Sequence, residues 1–184
     1  MAKLKSETNV ITNPVRLSYA SIWTPRSVNG SEPKYGTALL IPKEDSETIG
    51  LIEKAIDAAK AKALEKLGGK LPKGFKTPLK DGDDPDVEDE HYRGQMYVNA
   101  NSRVKPGVVD LNLRPIEDGS EVYSGCWCRA DVNFYYYDAG VNRGVGCGLN
   151  NLQKTKDDEA FSGRAKAEDA FDDGYLGDDD DFMG

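Results

Sequence analysis

Two stretches of alternating sequence place flat aromatic rings beside positive charge. In Glu121–Tyr137 the even positions Val122, Cys126, Cys128, Ala130, Val132, Phe134 and Tyr136 suit a core. The odd positions are Tyr123, Trp127, Arg129, Asp131, Asn133, Tyr135 and Tyr137, and period-2 alternation sends them to the opposite face. Upstream, Met96, Val98 and Ala100 read inward, while Gln95, Tyr97, Asn99, Asn101 and Arg103 read outward. In Val108–Leu113 the positions Val109, Leu111 and Leu113 are expected inside, leaving Asp110, Asn112 and then Arg114 outside, with Lys105 in the preceding turn. Rings and cations on one face suit unpaired bases: each base stacked on an aromatic ring gains about 1–3 kcal/mol, and Lys or Arg neutralises the phosphates between them. Tyr97, Trp127 and Tyr135 are therefore the candidates to stack bases. Arg103, Lys105, Arg114 and Arg129 are candidates to hold phosphates, with Arg26, Lys34 and Arg93 at the rim. The same rings also suit ordinary cross-strand pairs in an antiparallel sheet.

Other chemistries fit less well. Cys126-x-Cys128 and Cys147 lack the four-ligand spacing of a zinc site and fall on inward positions, as small reduced core residues would. The run Asp81, Asp83, Asp84, Asp86, Glu88, Asp89, Glu90 fails the EF-hand pattern, because Pro85 takes a ligand position counted from Asp81 and Asp89 takes the glycine position counted from Asp84. It reads as a solvated charged loop. A single histidine, His91, leaves little room for His-based acid–base chemistry. No G-x-S-x-G, Walker or G-x-G-x-x-G motif is present, and the alternating glycines of Arg143-Gly144-Val145-Gly146-Cys147-Gly148 lie along a strand, where they let backbones approach closely. The expectation is a non-enzyme with no cofactor and no metal.

The elements that position these residues are mostly strands. Val10–Trp23 is β-rich, and Lys34–Ile41 (KYGTALLI) is a near-continuous apolar run closed by Pro42. Asp45 or Ser46 can cap a helix over Ser46–Leu67, whose apolar residues Ile49, Ile52, Ile56, Ala59, Ala63, Leu64 and Leu67 recur at helical spacing before Gly68-Gly69. Residues 68–90 read as a long mobile acidic loop. Short strands follow at Gln95–Asn99, Val108–Leu113, Glu121–Tyr137 and Val145–Leu152, punctuated by Pro106-Gly107, Asp118-Gly119 and Ala139-Gly140. Many short strands with one long helix predict a mainly β fold, an OB-fold-like five-stranded barrel with extended loops.

Charge divides the 184 residues unevenly. The net charge is −8, yet residues 157–184 hold 11 acids and 2 bases. Setting aside that segment and the acidic run at 81–90, the rest has 22 bases and 14 acids, a net of +8. Residues 1–156 are expected to form the binding domain and 157–184 a disordered acidic tail, since its isolated apolar residues bury too little to offset ordering entropy. Four acids followed by an aromatic, Asp178, Asp179, Asp180, Asp181 and Phe182, form a charged lure with one apolar anchor for a basic partner pocket, and the same acids can compete with DNA phosphates. The N-terminal MAKLKSETNV lacks an apolar signal-peptide region and no run is long enough to span a bilayer, so a cytoplasmic protein without membrane contact is expected.

Taken in order, Val15–Trp23 (VRLSYASIW), Glu32–Pro42 (EPKYGTALLIP), Asn99–Asp110 (NANSRVKPGVVD), Val122–Trp127 (VYSGCW) and Gly146–Gln153 (GCGLNNLQ) resemble a family of bacteriophage and prophage single-stranded DNA-binding proteins, over about residues 8–156. The resemblance implies an OB-fold, sequence-independent binding of single-stranded DNA and a role in phage DNA replication or recombination in the host bacterial cytoplasm. It also implies that the acidic tail recruits replication or recombination proteins. Duplex DNA as a second ligand, and a homodimer through sheet edges, stay open at this point. The alternative reading is an acidic interaction protein or DNA mimic that binds a host enzyme, against which the basic body argues. A metal-dependent nuclease drawing on the 81–90 carboxylates is a third.

Overall fold

The computed structural model describes residues 1–27 and 29–161. Among them run nine strands: β1 (Lys3–Leu4), β2 (Asn9–Ile11), β3 (Val15–Arg26), β4 (Lys34–Pro42), β5 (Lys80–Asp81), β6 (Gln95–Ser102), β7 (Gly107–Val109), β8 (Trp127–Asp138) and β9 (Arg143–Lys156). One helix, α1 (Ser46–Lys66), lies between β4 and β5. Five strands close a ring. β3 pairs antiparallel with β4 and β8, β4 with β6, and β8 with β9, while β6 meets β9 in parallel at Asn101 and Gly148. That is the expected five-stranded OB-fold-like barrel, and its closure leaves β1, β2, β5 and β7 as short additions.

The alternation read from sequence fills the inside. Val15, Leu17, Leu39, Ile41, Val98, Ala100, Cys128, Ala130, Val132, Phe134, Val145, Cys147 and Leu149 are buried together, joined by Ile52, Ala55, Ile56 and Ala59 of α1. The helix starts where the Asp45 carboxylate accepts the Thr48 N–H at 3.0 Å. It stops where the Leu67 N–H reaches the Ala63 carbonyl, before Gly68 and Gly69 turn the chain at positive φ. All three cysteines are buried and reduced, and burial pushes the Cys147 thiol up.

Two strand assignments need correction. Val108–Leu113 is a strand only over Gly107–Val109, with Val108 buried and Leu111 and Leu113 exposed. The Asp110 carboxylate accepts the N–H groups of Asn112 and Arg114 and so curls the chain out of the sheet. Glu121–Tyr137 is strand only from Trp127: Asp118 caps a short 3-10 turn at Gly119–Glu121, and Gly125, at φ 113°, bends the chain into β8.

The segment 68–90 carries β5, which pairs with β6, and three of its carboxylates, Asp81, Asp83 and Asp89, meet other side chains. Lys43 Nζ lies 2.8 Å from Asp81 and 2.6 Å from Asp83, holding both carboxyls below the usual range. Tyr92 then covers Ala38 and Leu40 on the outer side of β4. The expected tail lies mostly outside the described residues, Asp178–Asp181 and Phe182 included, but residues 157–161 are described and pack on the barrel.

Candidate nucleic-acid interface

One outer side of the barrel holds a groove in two adjoining parts. The first is lined by Tyr19, Arg26, Lys34, Gly36, Asn99 and Asn101, among others. The second shares Lys34, Asn99 and Asn101 and continues to Lys76, Lys80, Arg103, Tyr135, Tyr137 and Gly146. Its floor is β4 and β6, the second and third strands of the ring. Its ends are the β3–β4 and β8–β9 connections. In OB folds the face of strands 2 and 3, with the loops between strands 1–2 and 4–5, is where oligonucleotides and oligosaccharides bind.

Glycines shape the groove. A Cβ on Gly36 would lie 2.3 Å from Asn101 Oδ1, so only glycine lets the Asn101 amide lie across β4. A Cβ on Gly146 would lie 2.8 Å from Tyr135 Cζ, which places the Tyr135 ring against the bare backbone of β9. Tyr135 is 45% exposed, so an unpaired base can reach it while the strand backs it. Burial and the nearby Cys147 thiol raise the Tyr135 pKa, so the phenol is neutral at neutral pH.

At the other end Tyr19 stands in the groove through a bulge. Pairing of β3 with β4 shifts register between Ser18 and Ser21, and Tyr19 takes φ 49°. That left-handed backbone costs about 1–3 kcal/mol for a non-glycine residue. It turns an exposed ring into the groove, where the Tyr19 hydroxyl donates to Asp89 Oδ2 at 3.1 Å and its pKa rises for that reason.

Of the residues singled out from sequence, the structure brings Tyr135, Arg103, Lys34 and Arg26 to this groove. Arg103 Nε lies 3.4 Å from Glu32, and both side chains are exposed. The others lie elsewhere. Tyr97 packs edge-on against Tyr92 at 4.9 Å, and the Arg93 guanidinium donates to the Gly82 and Val87 carbonyls, bracing the acidic segment. Lys105 sits 5.2 Å over the Trp23 ring, and Arg114 belongs to the turn built on Asp110.

Trp127 and Arg129 share the outward parity of Tyr135, but Trp127 is eight residues away, about 26 Å along β8. Trp127 Nε1 donates to Asp158 Oδ2 at 2.9 Å, and Arg129 Nε donates to the Thr12 carbonyl at 3.0 Å. Residues 157–161 cross this end as a strap. Arg16 donates to the Gly125 and Glu159 carbonyls and lies 4.3 Å from the Phe161 ring centroid, which stacks on His91 at 3.9 Å.

Sequence reasoning did not single out Tyr19, Lys76 or Lys80. One signal for Tyr19 was present: Val15 and Leu17 are inward at odd positions and Ile22 at an even one, so a bulge must intervene. Lys76 is carried to the groove by backbone pairing, its N–H on the Arg143 carbonyl and its carbonyl on the Val145 N–H, which no local pattern announces.

The chain is similar to phage proteins in sequence and in fold. A family described as "Enterobacter phage Enc34, ssDNA-binding protein" matches residues 8–183. Protein p50 of Acyrthosiphon pisum secondary endosymbiont phage 1 is 32% identical over 183 residues, covering 93% of this chain and 96% of its own. The single-stranded DNA-binding protein of bacteriophage Enc34, solved in complex with ssDNA, superposes with a TM-score of 0.71 at 24% identity, covering 88% of this chain and 98% of that one. The bacteriophage T7 single-stranded DNA-binding protein gp2.5 matches with a TM-score of 0.62 at 17% identity, over 86% of this chain and 97% of its own. The last two likenesses concern the fold.

Proposed function

The chain belongs to the phage single-stranded DNA-binding family represented by the Enterobacter phage Enc34 protein, and we propose that it binds single-stranded DNA in the groove over β4 and β6, without strong sequence preference and without catalysing a reaction. The observation that carries this reading is the Tyr135 ring, backed by Gly146 and flanked by Lys34, Lys76, Lys80 and Arg103. A ring with one accessible face can stack any base, and surrounding cations meet phosphates regardless of sequence. Tyr135, Tyr137 and Tyr19 are the stacking residues in this reading. Arg26, Lys34, Lys76, Lys80 and Arg103 hold the backbone. Trp127 and Arg129 instead fasten the strap and the N-terminal segment.

The acidic residues beyond the strap fit two further roles. Asp178–Asp181 with Phe182 would recruit basic partner proteins in phage DNA replication or recombination, in the host bacterial cytoplasm. The same charge would compete with DNA for the groove, and more strongly at low salt. Among the described residues no helix is long and apolar enough to cross a membrane.

The test is fluorescence anisotropy with a labelled oligo(dT) across a salt series, on the full chain and on a chain ending at residue 161. Salt-sensitive binding that tightens without the tail is expected. Absence of binding by either chain at low salt would overturn the reading and favour an acidic protein directed at a host enzyme.

A further inference from the structure

The two flanks of the groove carry opposite charge. Residues 60–80 hold seven lysines and one acid, Glu65, whereas 81–90 hold seven carboxylates and no base. The reversal falls at the groove wall. Lys76 and Lys80 line it, while the next residue, Asp81, turns to Lys43, and Asp89 meets Tyr19 at the far end.

The lysine tract is continuous with the groove along two paths. Thr77 of the wall also borders a shallow depression with Ile56, Lys60 and Leu79, in which Glu53 and Asp57 are the opposing charges. Phe75 stacks on Tyr136, with centroids 6.4 Å apart and planes 15° from parallel. Lys66 Nζ lies 5.9 Å from the Tyr136 ring, and Lys76 Nζ donates to Asn142 Oδ1 at 3.1 Å in the β8–β9 connection. Lys66, Lys70 and Lys73, in the stretch of chain leading up to Phe75, are exposed.

We propose that a DNA strand longer than the groove leaves it over Lys76 and the Phe75–Tyr136 edge onto Lys66, Lys70 and Lys73, and not across the acidic segment. This rests on the groove being the single-strand site. The tract is thus a second phosphate-binding surface that extends the footprint on one flank only. At physiological salt the Debye length is about 8 Å, so these lysines act on phosphates passing directly over them and little on a strand confined to the groove. The 81–90 carboxylates repel a strand leaving on the other side, which fixes the direction of exit.

The experiment compares a short oligo(dT) of about 6 nucleotides with a long one of about 20, against the roughly 4–16 nucleotides an OB fold occupies. Both are titrated into the full chain and into a variant carrying Lys66→Gln, Lys70→Gln and Lys73→Gln. The expected result is short-oligo affinity within twofold of the parent. For the long oligo the salt slope should fall by about 2, at roughly 0.7 for each phosphate that is no longer neutralised. An unchanged slope for the long oligo would overturn the proposal. Tighter short-oligo binding by the variant would also overturn it, by assigning the lysines to the chain's own acids. If the parent binds neither oligo, the groove reading itself fails and this inference falls with it.

Discussion

At one end of β8, Trp127 and Arg129 stand on the outer face beside Lys156, whose Nζ is 5.1 Å from the Trp127 ring. At the other end Tyr135 stands on the same face of the same strand, beside Arg103 and Lys34. Residue types alone do not separate the two clusters. What separates them is cover. The first cluster lies under residues 157–161 and the N-terminal segment, and its polar atoms meet Asp158, Thr12 and Met1. The second borders the groove, with glycines beneath and solvent above. Aromatic–cation pairs thus serve equally as internal fasteners and as a ligand surface, and accessibility decides between them.

The largest test of this contrast is Tyr135→Ala against Trp127→Ala. Loss of a stacking ring is worth about 1–3 kcal/mol per base, a drop of roughly 5- to 150-fold in oligo(dT) affinity. Trp127→Ala should change that affinity less than twofold while lowering the melting temperature. Equal losses of binding in the two variants would break the comparison.

The covered end can be broken directly at Gly125. Its φ of 113° and a Cβ position 2.3 Å from the Glu159 carbonyl oxygen leave no room for a side chain. Gly125→Ala should destabilise the fold by about 1–3 kcal/mol in urea titration, from backbone strain and displacement of the strap. Groove binding at temperatures where the variant is folded should persist.

Charge removal sharpens the contrast further. Arg103→Ala should lower the salt slope of binding by about 0.7, one phosphate's share for a single strand, whereas Arg129→Ala should leave the slope unchanged. Matching slopes for the two variants would place both arginines, or neither, on the DNA.

The smallest effect concerns acid. The Trp127 indole N–H, with the Glu159 N–H and the nearby Arg16, holds the Asp158 carboxyl below its ordinary value of 3.8. A carboxylate lowered on folding stabilises above that ordinary value, and the contribution disappears as pH falls through the lowered one. Trp127 fluorescence, isolated in a Trp23→Phe background, should therefore hold steady above about pH 4 and change below it as the strap loosens. An Asp158→Asn variant should lack this transition, and its persistence there would assign the change to another group.

Much of the fold was legible in local pattern. The run 34–41 gave a buried strand, the 3–4 spacing after Asp45 gave the helix, and the short strands with one helix led to a five-stranded barrel. Val122, Cys126, Cys128, Ala130, Val132 and Phe134 are buried as alternation predicts, while Tyr136, expected with them, is only half-buried. Leu111 and Leu113 depart from their expected inward positions because Asp110 side-chain hydrogen bonds override a marginal strand propensity. Tyr19 escaped because a bulge resets the alternation that would have revealed its face.

The order of residues alone sets which side chains alternate inward and outward, where the helix is capped, and how lysines and acids segregate along 60–90. These depend on neighbours a few residues apart, within reach of strand and helix periodicity. Which outward residues stay accessible is settled by tertiary packing instead. Asp158 reaches Trp127 from 31 residues away and the Met1 carbonyl reaches Arg129 from 128, so the cover on these side chains comes from chain closure that no local period encodes. The groove is likewise assembled from β4, β6, β9 and the 76–80 wall, brought together by barrel pairing.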